Sequence, residues 1–146
     1  MAPFGGSDVV ERILRALSAE VPAILLPAFR FCLEHSHEPL SVEQIAQACG
    51  IKRRALEYRF RKAGLRPPGT CLIRCRLLLV VHDLEQRTES IERVALGQAF
   101  GTAGALRKSL ARRLGAAPSS FRRAGAFDAA MAAFLQEIRR GSPPSH

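Results

Sequence analysis

The sequence has no run of about 18 apolar residues that is free of charges and prolines, which argues against a membrane-spanning helix. Its first eight residues, MAPFGGSD, lack the basic and apolar segments of a secretory signal peptide. We therefore expect a cytoplasmic protein with no membrane association. In such a reducing compartment, the four cysteines are expected to be small core residues and not disulfides.

The motifs of enzymes are missing as well. The sequence contains no Cys-x-x-Cys pair, no Gly-rich phosphate loop and no evident acid/base constellation. One alternative stays open, because Cys71 and Cys75 are four residues apart and share a helix face near Arg74 and Arg76, whose charges could lower a thiol pKa. A thiol enzyme or redox sensor is therefore conceivable, but buried packing is the preferred interpretation. We predict no catalytic residue.

A metal site is also a weak hypothesis. Cys32, His35 and His37 are close in sequence, but their spacing matches no zinc module. A loop that follows a helix is an ordinary place for histidine. We expect no metal and no cofactor.

Acidic residues are scarce relative to basic ones, and the excess of cations is concentrated. The chain has 22 Lys and Arg against 13 Asp and Glu, so its net charge is +9. Residues 52–62 carry +5 and residues 107–123 carry +6, which together exceed the net charge of the whole chain. A polyanionic partner is indicated, because an evenly solvated surface would not segregate its charge in this way.

The first basic block lies in a helix-turn-helix pattern, residues 45–62. Ser41 and Gln44 have the spacing of a capping box, and Gly50 suits a tight turn. Apolar residues then return at helical intervals, including Leu56 and Phe60. Two short helices around a glycine, the second of them basic, form the unit whose second helix lies in the DNA major groove. An αα-hairpin with a solvated charged face is the alternative for this stretch alone.

The same pattern returns about 49 residues later, which disfavours the αα-hairpin. Ser90 can cap a helix that carries Val94 and Ala95, a turn follows at 100–102, and a helix is predicted over 103–114 with Gly115 as its C-cap. This second helix carries part of the second basic block. The presence of two such patterns is stronger evidence for helix-turn-helix units than either pattern alone.

The remaining segments predict further helices, so the fold class is all-α: two helix-turn-helix subdomains joined by a long connector helix. Apolar residues surround the connector, predicted from Thr70 to Arg87, on nearly all sides, which indicates burial on more than one face. Pro27 is expected to kink or split a helical run after Val21, and Asp128 begins a last amphipathic helix. The predicted units are N-terminal helices on the first subdomain (7–38), the first helix-turn-helix (39–66), the connector (67–88), the second helix-turn-helix (89–124), and a C-terminal helix with a disordered tail (125–146).

Across residues 39–122 the chain resembles the DNA-binding domain of AraC/XylS-type transcription regulators. The ordered matches are Ile45-Ala46, Gly50-Ile51, Leu56, Phe60, Pro68, Arg76-Leu77, Ile91, Val94-Ala95, Phe100, Gly115, Pro118, Phe121 and Arg122. The resemblance implies that helices 53–63 and 103–114 enter successive major grooves of double-stranded DNA, about 34 Å apart. It also implies RNA polymerase as a protein partner.

Several positions depart from the family pattern. The family commonly has Ser at position 52, an aromatic at 71, Gly at 99, and aromatics at 106 and 110; this chain has Lys52, Cys71, Ala99, Leu106 and Leu110. Only about 38 residues precede the matched region, too few for the β-rich effector domain that such regulators often carry. We therefore expect no small-molecule effector domain and a monomer.

The resemblance assigns roles to the cations. Base-facing positions on the two recognition helices are Arg53, Arg54, Glu57, Tyr58, Arg107 and Lys108, and phosphate contacts are expected from Lys52, Arg59, Arg61, Lys62, Arg112, Arg113, Arg122 and Arg123. The second recognition helix begins Ala103-Gly104-Ala105, which offers base edges no hydrogen bonds. An alternative function is therefore a module that binds DNA non-specifically, or a protein, after losing base reading in its second unit.

Overall fold

The computed structural model describes residues 6–86 and 89–139, with side chains from residue 8 onward. These residues form eight α-helices and two short 3-10 helices and, within the same ranges, no strand, which confirms the all-α prediction. The α-helices are α1 (Gly6–Ser18), α2 (Leu26–Glu34), α3 (Val42–Ala48), α4 (Arg53–Lys62), α5 (Pro68–Gln86), α6 (Ile91–Gly97), α7 (Ala103–Leu114) and α8 (Ala126–Glu137). The 3-10 helices are Ala23–Leu25 and Pro118–Phe121.

Some sequence predictions lie outside the described residues. These are the end of the connector at Arg87 and the tail at 141–146. Among the helices of the described part, none is long and apolar enough to cross a membrane.

The connector α5 contributes to two separate hydrophobic cores. Its residues Cys71, Leu72, Cys75, Leu78, Leu79 and Val81 belong to the larger core, which also contains Leu56 and Phe60 of α4. Its residues Leu77, Val80 and Leu84 belong to the smaller core, together with Val94, Ala95, Leu106 and Leu110 of α6 and α7. This two-sided burial explains why the apolar residues of α5 surround the helix.

The two chain ends complete the larger core. Val9, Ile13 and Leu17 of α1 are buried there, and α2 begins at the split caused by Pro27, which lies in its first turn. The C-terminal α8 also joins this core, through buried Phe127, Phe134 and others, and not the core of the second helix-turn-helix unit that precedes it. The N–H of Arg66 donates to the carbonyl of Ile138 at 2.7 Å, which ties the end of α8 to the segment after α4.

One buried guanidinium connects the two halves of the fold. Arg76 of α5 is 8% exposed, and its Nη2 atom donates to the carbonyls of Ser36 at 2.7 Å, Glu38 at 3.0 Å and Gln98 at 3.2 Å. Ser36 and Glu38 lie between α2 and α3, whereas Gln98 ends α6 of the second unit. Arg76 therefore links the supports of both helix-turn-helix units.

Candidate nucleic-acid interface

Local chemistry fixes the first helix-turn-helix unit, α3 and α4. The Gln44 N–H donates to Ser41 Oγ at 3.1 Å, and the Ser41 N–H donates to Gln44 Oε1 at 2.8 Å, which confirms the capping box. Gly50 has φ +74°, a left-handed conformation that glycine adopts without steric cost. The chain can therefore turn sharply between the two helices.

The turn places α4 with one side against the core and the other outward. Leu56 and Phe60 are almost fully buried, and the Phe60 ring lies 5.6 Å from that of Phe29 in α2. The residues between them on the helix face outward, and all six cations of residues 52–62 are exposed or half-buried. The cationic surface of α4 is thus a direct consequence of its two apolar anchors.

The cations of α4 differ in how they are engaged. Arg53 Nε donates to Glu57 at 3.1 Å, and its Nη1 lies 3.9 Å from Glu43 of α3. Arg54 is exposed and has no ion pair or hydrogen-bonded side-chain partner within the described ranges. Arg54 can therefore reach a ligand without breaking an ion pair, whereas Arg53 must first leave two carboxylates.

Tyr58 forms an exposed aromatic centre on α4. Its side chain is 52% exposed, and the cationic groups of Arg61 and Lys62 each lie 5.8 Å from its ring centroid. The same surface contains a shallow cavity of about 890 Å³, which is lined by Arg54, Tyr58 and the turn residues around Gly50. The surface is therefore concave, partly apolar and rimmed by cations.

The second unit, α6 and α7, repeats this construction. Ser90 Oγ accepts from the Arg93 N–H at 3.3 Å, and Thr102 Oγ1 accepts from the Ala105 N–H at 3.0 Å, so both helices have side-chain caps. The predicted bounds of α7 and its left-handed C-cap at Gly115, φ +72°, are confirmed. Leu106 and Leu110 are fully buried, as Leu56 and Phe60 are in the first unit.

The turn of the second unit carries a strained residue. Ala99 has φ +63°, the one non-glycine residue with positive φ in the described part of the chain. AraC/XylS-type domains, which the sequence resembles, commonly have glycine at this position, and the positive φ explains that preference. Ala99 therefore destabilises the turn of the second unit, whereas Gly50 adopts the corresponding conformation in the first unit without this cost.

The outer face of α7 has fewer side chains that can bond a base than the outer face of α4. Gly104 and Ala105 are exposed but have no side chain able to bond a base. Arg107, Lys108 and Arg112 are exposed, with no hydrogen bond or ion pair of their side chains in the described residues. The outer face of α7 thus carries charged side chains only beyond its first turn.

Three of the predicted phosphate residues lie away from this outer face or are otherwise engaged. Arg122 Nη2 donates to the Glu89 carbonyl at 2.6 Å. Arg113 is half-buried on the side of α7 that faces α5 and α8, where burial and the neighbouring charges of Arg74 and Arg112 lower its pKa. Arg113 also lines a cavity with Arg123. Their roles on DNA stay predictions.

The cysteines are poor candidates for thiol chemistry. Burial raises the pKa of Cys32 to about 12, and it raises the pKa of Cys75 well above its ordinary value despite the nearby Arg76. Cys71 is also buried. Because the thiolate is the reactive form, the two raised pKa values argue against the thiol-enzyme alternative. Within the described ranges, no group of three or more His, Cys, Asp and Glu side chains could hold a metal ion.

Two features of the interface were missed by sequence reasoning. Glu43 lies on α3, yet it approaches Arg53 of α4 across the turn, a contact that helical spacing alone does not show. Arg76 was included as part of the family match, but its three carbonyl partners are distant in sequence. Its place between Cys75 and Leu77 in the most apolar part of α5 was the available signal of an internal role.

A comparison with protein-family models gives one match. The model of the helix-turn-helix domain of AraC type matches residues 40–124, more than half of the 146 residues. No curated protein and no solved structure matches the chain. The matched range begins beside the capping box of α3 and ends after the 3-10 helix Pro118–Phe121, so it contains both units and the connector but not α8. The chain belongs to the AraC-type family of helix-turn-helix DNA-binding domains.

Proposed function

We propose that the protein is a sequence-specific transcription regulator that inserts α4 and α7 into successive major grooves of double-stranded DNA. The observation that carries the proposal is the arrangement of α4, in which Leu56 and Phe60 are buried while its five cations, and Lys52 just before it, stay exposed or half-buried. Family membership supports DNA binding as the activity. The connector, buried between both units, supports a fixed separation of the two helices, for which about 34 Å is required.

Base reading is assigned mainly to the first unit. Arg54 is the leading candidate, because arginine bonds guanine O6 and N7 bidentately and this guanidinium has no competing partner. Tyr58 can contact bases or sugars beside it, and Glu57 can accept from cytosine N4 once Arg53 moves to the DNA. On α7, Arg107 and Lys108 are the corresponding candidates.

Phosphate binding is assigned to the other exposed cations. Lys52, Arg59, Arg61 and Lys62 flank α4, and Arg112 lies on the outer face of α7. Neutralising phosphates releases counterions, so affinity is expected to fall steeply as salt concentration rises. Arg113, Arg122 and Arg123 stay in this set with less structural support.

A second candidate function is favoured by the start of α7. With Gly104 and Ala105 at the positions nearest the bases, the second unit can hold the backbone without reading sequence. The protein would then bind DNA non-specifically or bind a protein partner. Under the leading proposal it acts in the cytoplasm as a monomer, on the nucleoid, with RNA polymerase as a partner.

Selection of bound sequences from a random duplex pool tests the proposal. The wild type is expected to enrich a motif, and Arg54→Ala is expected to relax it at one or two positions, with a loss of about 1–3 kcal/mol on the selected site. The matched control is Arg112→Ala, which should weaken all duplexes alike and reduce the salt slope by about 1. A pool without any motif, or equal loss of sequence preference in both variants, would favour the non-specific module.

A further inference from the structure

A groove separates α8 from the end of α7. It has a volume of about 410 Å³ and is walled by two aromatic rings, Phe121 and Phe134, while alanines of α8, including Ala129 and Ala133, form its floor. Small side chains along one helix and rings on the sides leave a slot for a flat apolar body. We call this space the α8 groove. Because α8 lies beyond residue 124, half of the groove is built by a segment outside the matched family domain.

The α8 groove carries an excess of positive charge. Arg74, Arg113 and Arg123 line it, with Glu137 as its acidic residue among the described lining side chains. Arg74 Nη1 donates to the Arg113 carbonyl at 2.9 Å and lies 3.8 Å from Glu137. The groove therefore has three guanidinium groups and one carboxylate, which pairs with Arg74.

Donors in the groove remain available. Arg74 Nε is buried and has no hydrogen-bond partner in the described structure. Arg113 has no ion pair there either, and it is withdrawn from solvent beside two other cations. A partly buried cation without a counter-ion is costly, and an anion bound in the groove beside Arg113 and the Arg74 guanidinium would offset that cost.

We propose that the α8 groove binds an amphipathic organic anion, with a flat apolar body against α8 and an acidic group on Arg74 and Arg113. The volume is within the range of small-molecule sites. Guanidinium groups recognise carboxylates and related oxyanions by charge-assisted hydrogen bonds.

The test uses the fluorescent probe 8-anilinonaphthalene-1-sulfonate on the full chain. It has the required flat body and one anionic group, and N-phenyl-1-naphthylamine has the same body without the charge. We expect the sulfonate to bind at least about tenfold more tightly than the neutral probe, because only the sulfonate can accept charge-assisted hydrogen bonds from the guanidinium groups. Equal binding of the two probes would overturn the assignment of the cations.

Matched variants locate the bound probe. Ala133→Leu fills the floor of the groove, whereas Ala132→Leu makes the same change at the neighbouring exposed position of α8, which does not line the groove. Ala133→Leu and Arg74→Gln should each weaken sulfonate binding about tenfold or more, and Ala132→Leu should leave it unchanged. Equal affinity of the two leucine variants, both shown to be folded by circular dichroism, would place the probe elsewhere and refute the site.

Discussion

Replacing Arg76 with methionine tests the link between the two helix-turn-helix units. Methionine keeps an apolar side chain of similar reach and removes only the guanidinium. Nη2 carries two hydrogens but has three carbonyl acceptors, so we count two full hydrogen bonds and not three. At about 1.5–3 kcal/mol for each bond to a charged donor, and allowing for relaxation of the carbonyls toward water, the expected loss is about 3 kcal/mol. Equilibrium urea unfolding measures it.

The control is Arg93→Met on α6, where the arginine is exposed and its side chain forms no hydrogen bond or ion pair with any residue of the described ranges. This substitution should change the free energy of unfolding by less than about 0.5 kcal/mol. A loss below about 1 kcal/mol for Arg76→Met would show that water replaces the guanidinium and that the link contributes little.

Spin labels at Lys62 and Ala111, in a Cys49→Ser background, should report a broader distance distribution in Arg76→Met. An unchanged distribution would show that packing alone positions the two recognition helices.

Three further outcomes follow from the cores and caps. Phe60→Ala should cost about 3–5 kcal/mol in urea unfolding because it removes the fully buried anchor of α4; a loss under 1 kcal/mol would contradict this role. Ala99→Gly should raise the melting temperature by relieving its positive φ, offset partly by the greater entropy of the unfolded chain, and a lower melting temperature would refute the strain. Glu85 accepts from the N–H groups of Phe127 and Gly125, which lower its pKa below 4.5, so its stabilisation is complete above about that pH and is lost as pH falls through the lowered value. Glu85→Gln should therefore reduce the loss of the free energy of unfolding between neutral and acid pH. An unchanged acid dependence would show that Glu85 does not stabilise the start of α8.

Sequence reasoning was most accurate where local chemistry decides the structure. Caps at Ser41 and Ser90, the left-handed Gly115 and the bounds of α7 all follow from a few neighbouring residues, and each is confirmed. Buried anchors such as Leu56 followed from helical spacing. The alternation of apolar and charged residues therefore predicts most of the helices and their buried faces.

Tertiary contacts could not be predicted in the same way. The pairing of Arg53 with Glu43 depends on how α3 crosses α4, and the burial of Arg76 depends on where two separate segments place their three carbonyls. The position of α8 in the larger core depends on packing with helices more than 100 residues earlier, as in the ion pair of Arg12 with Asp128 at 3.1 Å. Arg113, in contrast, follows Leu106 and Leu110 at helical intervals, so helical spacing alone predicts that it lies on the inner side of α7.

The unequal cores imply unequal stability of the two DNA-binding units. The larger core contains twenty-seven buried residues in the described chain, and the smaller one contains seven. Local opening should therefore be easier in α6 and α7, where few apolar contacts oppose it. In addition to its small core, the second unit is tied to the rest of the protein by a polar link from Arg76 to the carbonyl of Gln98. Under the proposed function, a unit held in this way, whose outer face begins with Gly104 and Ala105, would adjust to the DNA backbone after the first unit has found its sequence. Hydrogen exchange should accordingly show faster exchange in α7 than in α4, and slower exchange in α7 would refute this division of roles.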